Sequence, residues 1–311
     1  MIREDLEWGE DGMDALFQRL QAEGISVATD CPLAPHSSFR VGGNARLAAF
    51  PDSVEKLLTT LSLARESGVR YEVFGRASNV VFSDRGFDGL IIFTGSCRTV
   101  ECDGNTLRAD CGASLASLAT FACENALTGA EFLHGIPGTV GGAVFMNAGS
   151  YGGSVADICI RSEWWDRMTG ERGFFVGTEH AFDTRMSIYQ REGRYLLLRA
   201  EFLLGDGDRA AIRATMRDLS ERRRSSQPLE YPSAGSVFKR PVGHYAGKLI
   251  EDCGLKGTTV GGAQVSEKHA GFIINVCGAT AGDIRALTDL VRDRVHRMTG
   301  VELECEIRFI E

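Results

Sequence analysis

The segment GIPGTVGG (135–142) can do chemistry without any reactive side chain. Consecutive backbone N–H groups with nothing in front of them are how a protein cradles a pyrophosphate. The spacing is neither G-x-x-x-x-G-K-[ST] nor G-x-G-x-x-G, so both the P-loop and the Rossmann readings fail. A tightly packed glycine turn that holds no ligand stays open as the alternative. FRVGGNA (39–45) and the turn GRASN (75–79), which follows a predicted strand, are further candidate phosphate or ribose contacts.

The side chains that could carry a reaction are fewer. YPSAGSVFKRP (231–241) sets Ser233 and Ser236 beside Gly235 in a loop, close to Lys239 and Arg240. Such serines ordinarily shape turns. The G-x-S-x-G elbow of a serine hydrolase is missing. His244 and His269 read as loop histidines, Arg185 as a surface arginine, and Glu306 as a solvated group on the polar face of a strand. Nine cysteines, an odd number without a C-x-x-C pair, give no metal spacing, and no metal site is expected. Several, such as Cys111 and Cys305, alternate with apolar residues and read as small buried hydrophobes.

Mixed α and β elements must position these groups. Met13, Leu16, Phe17 and Leu20 mark a helix over 11–24 that covers the fold. A second helix follows Asp52, where Asp52 and Glu55 have capping-box spacing and Val54, Leu57, Leu58 and Leu61 form the stripe, ending at Gly68. Strands are predicted at Tyr71–Phe74, Leu90–Phe93, Leu107–Cys111 and Tyr195–Leu204, with a helix after Ser114. The glycine-dense stretch 129–153 fits no helix or strand period. Ile212, Met216 and Leu219 mark a helix ending near Arg222, Arg223 and Arg224, and a boundary is placed near 205. Beyond it come a helix over about 281–299, with Ile284, Leu287, Leu290, Val291, Val295 and Met298 on one face, and a terminal strand. There Val301, Leu303, Cys305, Ile307 and Phe309 alternate with Glu302, Glu304, Glu306 and Arg308, which predicts carboxylates pointing away from the core.

Composition excludes several classes. Thirty-four basic against 42 acidic residues leave a formal charge of −8, which argues against a broad nucleic-acid face. No apolar run is long enough to span a membrane, and the start MIREDLEWGEDG is acidic where a secretory signal is basic and then apolar, so a cytoplasmic protein with no membrane partner is expected. Glycine, 37 of 311 residues, is in excess, which points to many sharp turns or close backbone approaches.

Seven ordered blocks over about residues 36–311 change the reading. SSFRVGGNA, GRASNVVFSDRGFDG, GAEFLHGIPGTVGGAVFMNAGSYGG, RMSIY, YPSAGSVFKRP, AGKLIEDCGLKGTTVGGAQVSEKHAGFIIN and ECEIRFI together resemble the UDP-N-acetylenolpyruvoylglucosamine reductase family. The short interval between RMSIY and GSVFKRP, and the glycine pair in FRVGGNA, are similar to the family's shorter type, which lacks an inserted substrate-covering loop. The resemblance implies an α+β protein: an N-terminal helical segment (1–36); a two-lobed FAD-binding domain of the p-cresol methylhydroxylase/vanillyl-alcohol oxidase type (37–204, lobes about 37–97 and 98–204); and a UDP-sugar domain with a returning strand (205–311). It implies NADPH-dependent, FAD-mediated reduction of UDP-N-acetylglucosamine enolpyruvate to UDP-N-acetylmuramate for peptidoglycan. The chain is expected to be a monomer or weak homo-oligomer.

Residue by residue, the family's catalytic arginine, proton-donating serine and glutamate match Arg185, Ser236 and Glu306. The resemblance assigns non-covalent FAD contacts to Arg40, Gly42 and Gly43; to Gly75, Arg76, Ala77, Ser78 and Asn79; to Gly135, Ile136, Pro137, Gly138, Gly141 and Gly142, which would hold the pyrophosphate; and to Asn147, Ala148 and Gly149. By position, Arg240, Tyr245, Lys248 and His269 line the substrate pocket. Two departures stand out. The turn GRASN replaces the family's usual GGGSN, with Arg76 expected to point outward, and Thr184 stands where a tyrosine usually precedes the arginine. His134, before GIPG, is not expected to bond covalently to flavin. Two other readings compete: an FAD oxidase or dehydrogenase of the same superfamily acting on an alcohol or lactone, and a catalytically silent nucleotide-binding protein.

Overall fold

The computed structural model describes residues 10–311; residues 1–9, most of the acidic start read above, lie outside the described residues. The first lobe is a four-stranded sheet in the order Ser26–Pro32, Asn44–Phe50, Phe87–Phe93, Tyr71–Phe74. The first pair is antiparallel and the other two pairs are parallel. Strand alternation divides the residues between two faces. Leu90 and Ile92 meet helices Glu10–Ala22 and Val54–Glu66, whereas Ile91 and Phe93 join Phe74, Val80 and Phe82 on the opposite side. The second helix is capped one residue later than its sequence predicts. Ser53 Oγ accepts from Lys56 N (3.2 Å), while Asp52 pairs with the Lys56 ammonium (3.0 Å).

The second lobe is an antiparallel five-stranded sheet in the order Arg172–Val176, Cys159–Asp166, Tyr195–Leu203, Thr106–Asp110, Val100–Asp103. Its apolar face packs against helices Leu115–Glu124 and Val140–Met146, which bury Leu118, Ala122, Val140 and Val144. Stretch 129–153 is therefore not without regular structure. It holds a 3-10 turn at Glu131–Leu133, the helix Val140–Met146 and a two-strand hairpin, Gly149–Ser150 with Gly153–Ser154. Small residues let that helix lie flat on the sheet.

Helix Arg209–Ser226 buries Ile212 and Met216 in this same core. A boundary near 205 would separate the helix from the residues it packs on, and the change of core falls after it. The third core comes from the three-stranded sheet Thr259–Val260, Ala263–Val265, Ile273–Asn275 and helices Ala246–Asp252 and Ala281–Thr299. The long helix starts at a Thr280–Asp283 capping box and buries Ile284, Leu287, Val291 and Val295. Leu290 and Met298, placed on the same face by spacing, are exposed: the first is turned off the stripe and the second lies in the last turn. Phe39, Val41 and Val81 of the first lobe complete this core, and Asp84 accepts from the Ala281 and Gly282 amides (2.8 and 3.0 Å).

The terminal strand is shorter than its alternation predicts. Arg308–Ile310 pairs in parallel with Val80–Phe82, and before it only Cys305 pairs, as a single antiparallel bridge to Phe238. Six of the nine cysteines are buried free thiols; Cys305 is half-buried, and Cys102 and Cys277 are exposed. Among the described residues no helix is long and apolar enough to cross a membrane, and no group of three or more His, Cys, Asp or Glu could hold a metal.

One ionic node ties the two lobes. Arg199 on the central strand of the second lobe reaches Glu55 on the first-lobe helix (2.9 Å), Asp110 (3.0 Å) and Glu163 (3.5 Å). Asp110 and Glu163 are nearly inaccessible, so removing the guanidinium leaves buried carboxylates short of a partner. Arg199→Leu is expected to cost about 3 kcal/mol in urea unfolding, and a loss below about 1 kcal/mol would show that the node is dispensable.

Candidate active site

A cavity of about 550 Å³ opens where the three units meet. One wall is the turn after strand Tyr71–Phe74, Gly75 to Val80. The facing wall is Ile136 to Met146, and a third side comes from Ala234, Gly235, Ser236, Phe272 and Glu306. Backbone proximity requires the glycine at 75, because a Cβ there would lie 2.8 and 2.9 Å from Thr139 Cγ2 and Cβ, and closer still to its hydroxyl. Turning Thr139 only exchanges one clash for another. Ala77 takes up a left-handed backbone (φ +45°) that glycine adopts without steric cost. Arg76 is exposed at the rim, as expected.

Among the described residues, the amides of Arg76, Ala77, Ser78 and Asn79 on one wall, and of Gly138 and Thr139 on the other, have no protein acceptor. Val140 and Gly141 are already used, donating to Ala113 O (2.9 Å) and Cys111 O (2.7 Å). Buried polar atoms also lack partners: Gln190 Oε1, Gln227 Oε1 and Arg167 Nε all belong to residues of the wall. Orphaned donors and acceptors in a native interior call for a ligand or water. Five arginines of the wall (Arg76, Arg167, Arg185, Arg223, Arg308) face two glutamates (Glu72, Glu306), so in a protein of formal charge −8 this concavity is cationic. A phosphate-bearing ligand with hydrogen-bonding rings, such as FAD, fits that donor set.

At the end of the cavity beside the third unit, Arg185 Nε lies 2.9 Å from Glu306 Oε1, and Arg185 Nη2 donates to Gly149 O (3.2 Å). Glu306 is thus not the solvated strand carboxylate its alternation predicts. The chain leaves strand geometry before 308, and its side chain turns inward to 15% exposure. Burial pushes the Glu306 carboxyl above its usual range, opposed by the Arg185 and Lys239 charges. Ser236 lines the same end, on a loop bridged to Phe272.

Of the other residues proposed from sequence, Gly75, Arg76, Ala77, Ser78, Asn79, Ile136, Pro137, Gly138, Gly141, Gly142, Ala148 and Gly149 all line the cavity. Arg40, Gly42 and Gly43 do not. Arg40 is exposed, a Cβ on Gly42 would meet Phe82 Cβ at 2.6 Å, and one on Gly43 would meet Gly86 N at 2.7 Å, so these glycines serve backbone packing. Gly135 lies off the wall against Arg223 Cδ. Asn147 also lies outside it: its Nδ2 donates to Asp183 O (2.9 Å) and its Oδ1 accepts from Ala156 N (2.9 Å), anchoring the segment that carries Arg185. His134 pairs with Ser220 Oγ (3.1 Å) away from the wall.

The four proposed substrate residues are not in the wall either. Arg240 stacks on Tyr245 (3.9 Å to the ring centroid) and Lys248 pairs with Asp252, all of them exposed. His269 stands behind Phe272, its ring 4.8 Å from the phenyl. Thr184 is exposed, its amide held by Asp183 Oδ1 (2.6 Å). Sequence reasoning missed Arg308, which lies over Phe145 (5.0 Å). Its shared parity with Glu306 was the available signal. Nothing in the sequence singles out Gln190 or Gln227.

Fold and cavity define an FAD-binding protein, and residues 45–172 match the family model described as an FAD binding domain. Residues 227–310 match the UDP-N-acetylenolpyruvoylglucosamine reductase C-terminal domain. The reductase of this name from Caldicellulosiruptor bescii is 47% identical over 295 residues, covering 94% of this chain and 93% of that protein. That from Clostridium beijerinckii is 42% identical, covering 94% and 95%. The crystal structure of the Thermus caldophilus enzyme, 30% identical, superposes with a TM-score of 0.77 over 92% of this chain and 99% of that one. The chain belongs to the UDP-N-acetylenolpyruvoylglucosamine reductase family and is an oxidoreductase.

The contact between Gly75 and Thr139 sets the distance between the two cradle walls. Gly75→Ala forces them apart by overpacking, and FAD affinity, read by flavin fluorescence, is expected to fall about tenfold. Unchanged affinity would mean that the walls do not close on the cofactor.

Proposed function

We propose that this protein reduces UDP-N-acetylglucosamine enolpyruvate to UDP-N-acetylmuramate with NADPH, in the cytoplasm, as a step of peptidoglycan precursor synthesis. The observation that carries the reading is the Arg185–Glu306 pair, with Ser236, at one end of a cavity whose middle is a cradle of unpartnered amides.

The substrate is an enol ether conjugated to a carboxylate. Bound in the cradle, FAD would supply to the terminal vinyl carbon the hydride it takes from NADPH. The turn Arg76–Asn79 and the Gly138–Thr139 amides would hold its pyrophosphate, and Gln190, Gln227 and Arg167 would offer their orphaned atoms to the rest of the cofactor. Addition at the vinyl carbon spreads negative charge into the substrate carboxylate, and a preorganised cation stabilises that charge most in a site closed to water. Arg185 is such a cation. Glu306 and Gly149 O engage its Nε and Nη2, which leaves other N–H groups for the substrate. Ser236 delivers the proton to the neighbouring carbon, so that hydride and proton together saturate the double bond. Glu306, whose burial favours the neutral acid, hydrogen-bonds the substrate carboxyl and holds the guanidinium in line. Outside the cavity, the exposed side chains of Arg240, Tyr245 and Lys248 would meet the nucleotide diphosphate.

Ser236→Ala is expected to leave flavin reduction by NADPH unchanged and to slow reoxidation by the enolpyruvyl substrate by about 10²- to 10⁴-fold in stopped-flow absorbance. A reoxidation rate equal to wild type would remove Ser236 from the reaction.

A further inference from the structure

The guanidinium of Arg185 projects from a segment with no core of its own. Between His180 and Ser187 no side chain is buried, and two residues, Ala181 (φ +47°) and Arg185 (φ +54°), hold left-handed backbone. Such strain persists only where the surroundings over-determine it. The segment's own bridge, Asp183 with Met186, and the Asn147 contact fix its middle. Its ends are held differently.

His180, fully buried, precedes the segment, and Tyr189, equally buried, follows it on the helix Ile188–Glu192. Between them sits Ser162, on the strand Cys159–Asp166, with Oγ 2.8 Å from His180 Nε2 and 2.7 Å from the Tyr189 hydroxyl. The proton directions follow from the partners. Gly177 O can only accept, so His180 Nδ1 (2.9 Å) carries the ring proton and Nε2 presents a lone pair. Burial lowers the His180 pKa, which favours the neutral ring. Ser162 therefore donates to His180, and its oxygen accepts from Tyr189. Phe182, the second residue of the segment, stacks on the His180 ring at 4.9 Å, so the imidazole also sets where the segment begins.

We propose that Ser162 is a positioning residue: its hydroxyl clasps the two ends of the Arg185 segment, nine residues apart, and thereby fixes the guanidinium in the cavity. Its catalytic consequence rests on the role proposed above for Arg185. Removing the hydroxyl leaves the buried phenol unpaired and the buried imidazole nitrogen with only the Cys159 thiol (3.8 Å), and it breaks the link between the two ends, of which the second keeps Ser187 Oγ on Phe145 O (2.8 Å). Tyr189→Phe opens one arm and keeps the ring.

The test uses FAD-loaded Ser162→Ala, Tyr189→Phe and the double variant. In stopped flow, flavin reduction by NADPH should stay within about twofold of wild type while reoxidation by substrate slows about ten- to a hundredfold, as expected of a displaced catalytic group. The double variant should be no slower than the slower single variant, because one clasp cannot be opened twice. Amide exchange over 181–187 should quicken in every variant. Should Ser162→Ala fail to fold, Tyr189→Phe carries the same test. Unchanged exchange over 181–187, or reoxidation at the wild-type rate in a variant with quickened exchange, overturns the proposal. Arg185→Ala with wild-type reoxidation would instead overturn the role given to Arg185, and exchange would still decide whether the clasp exists.

Discussion

Residues 305–308 are stitched to the protein from both sides, and the site depends on that stitching. Glu306 N donates to Val237 O (2.7 Å) next to Ser236, Asn79 Nδ2 donates to Glu306 O (3.0 Å), and Arg308 N donates to Asn79 O (3.0 Å). One short stretch thus touches the cradle turn of the first lobe and the serine loop of the third unit. Its glutamate reaches across to Arg185 of the second lobe (2.9 Å). The parallel pairing of Arg308–Ile310 with Val80–Phe82 holds it in register. A slip of one residue would turn Glu306 away from the guanidinium and Arg308 away from the cavity.

Electrostatics follow from the same arrangement. The molecule is acidic overall, yet its concave centre is lined by arginines, three of them (Arg167, Arg185, Arg223) from the second lobe and the helix packed on it. Burial lowers the Arg223 pKa, the mark of a charge held partly out of water. Uncompensated buried cations are costly, and a polyanionic ligand offsets that cost on binding. FAD carries a pyrophosphate, so a cationic cavity suits it. The energy left unsatisfied in the protein alone becomes binding energy when the amides and arginines find their partners.

Much of this was legible in the sequence, and the exceptions have physical reasons. Leu57, Leu61, Ile284 and Val291 betrayed their helices because a 3.6-residue stripe must face a core. GIPGTVGG and GRASN announced a cradle because glycine excess in a folded chain needs a backbone explanation. Glu306 was misread by its own alternation, since period-two reasoning presumes a strand that begins only at Arg308. Gly42 and Gly43 were assigned to the ligand although their neighbours are Phe82 and the 84–86 turn, because close approach to protein and to cofactor leave the same signature. The Arg199 node and the Ser162 clasp join residues far apart in the chain. Single serines and histidines at such distances carry no periodicity by which to be found.

The most direct measurement is the anaerobic visible spectrum of the FAD-loaded protein, bleached with NADPH and then mixed with UDP-N-acetylglucosamine enolpyruvate. Rapid return of the oxidised flavin bands, in step with formation of UDP-N-acetylmuramate, is expected. A flavin that bleaches with NADPH and stays bleached in the presence of that substrate would contradict it.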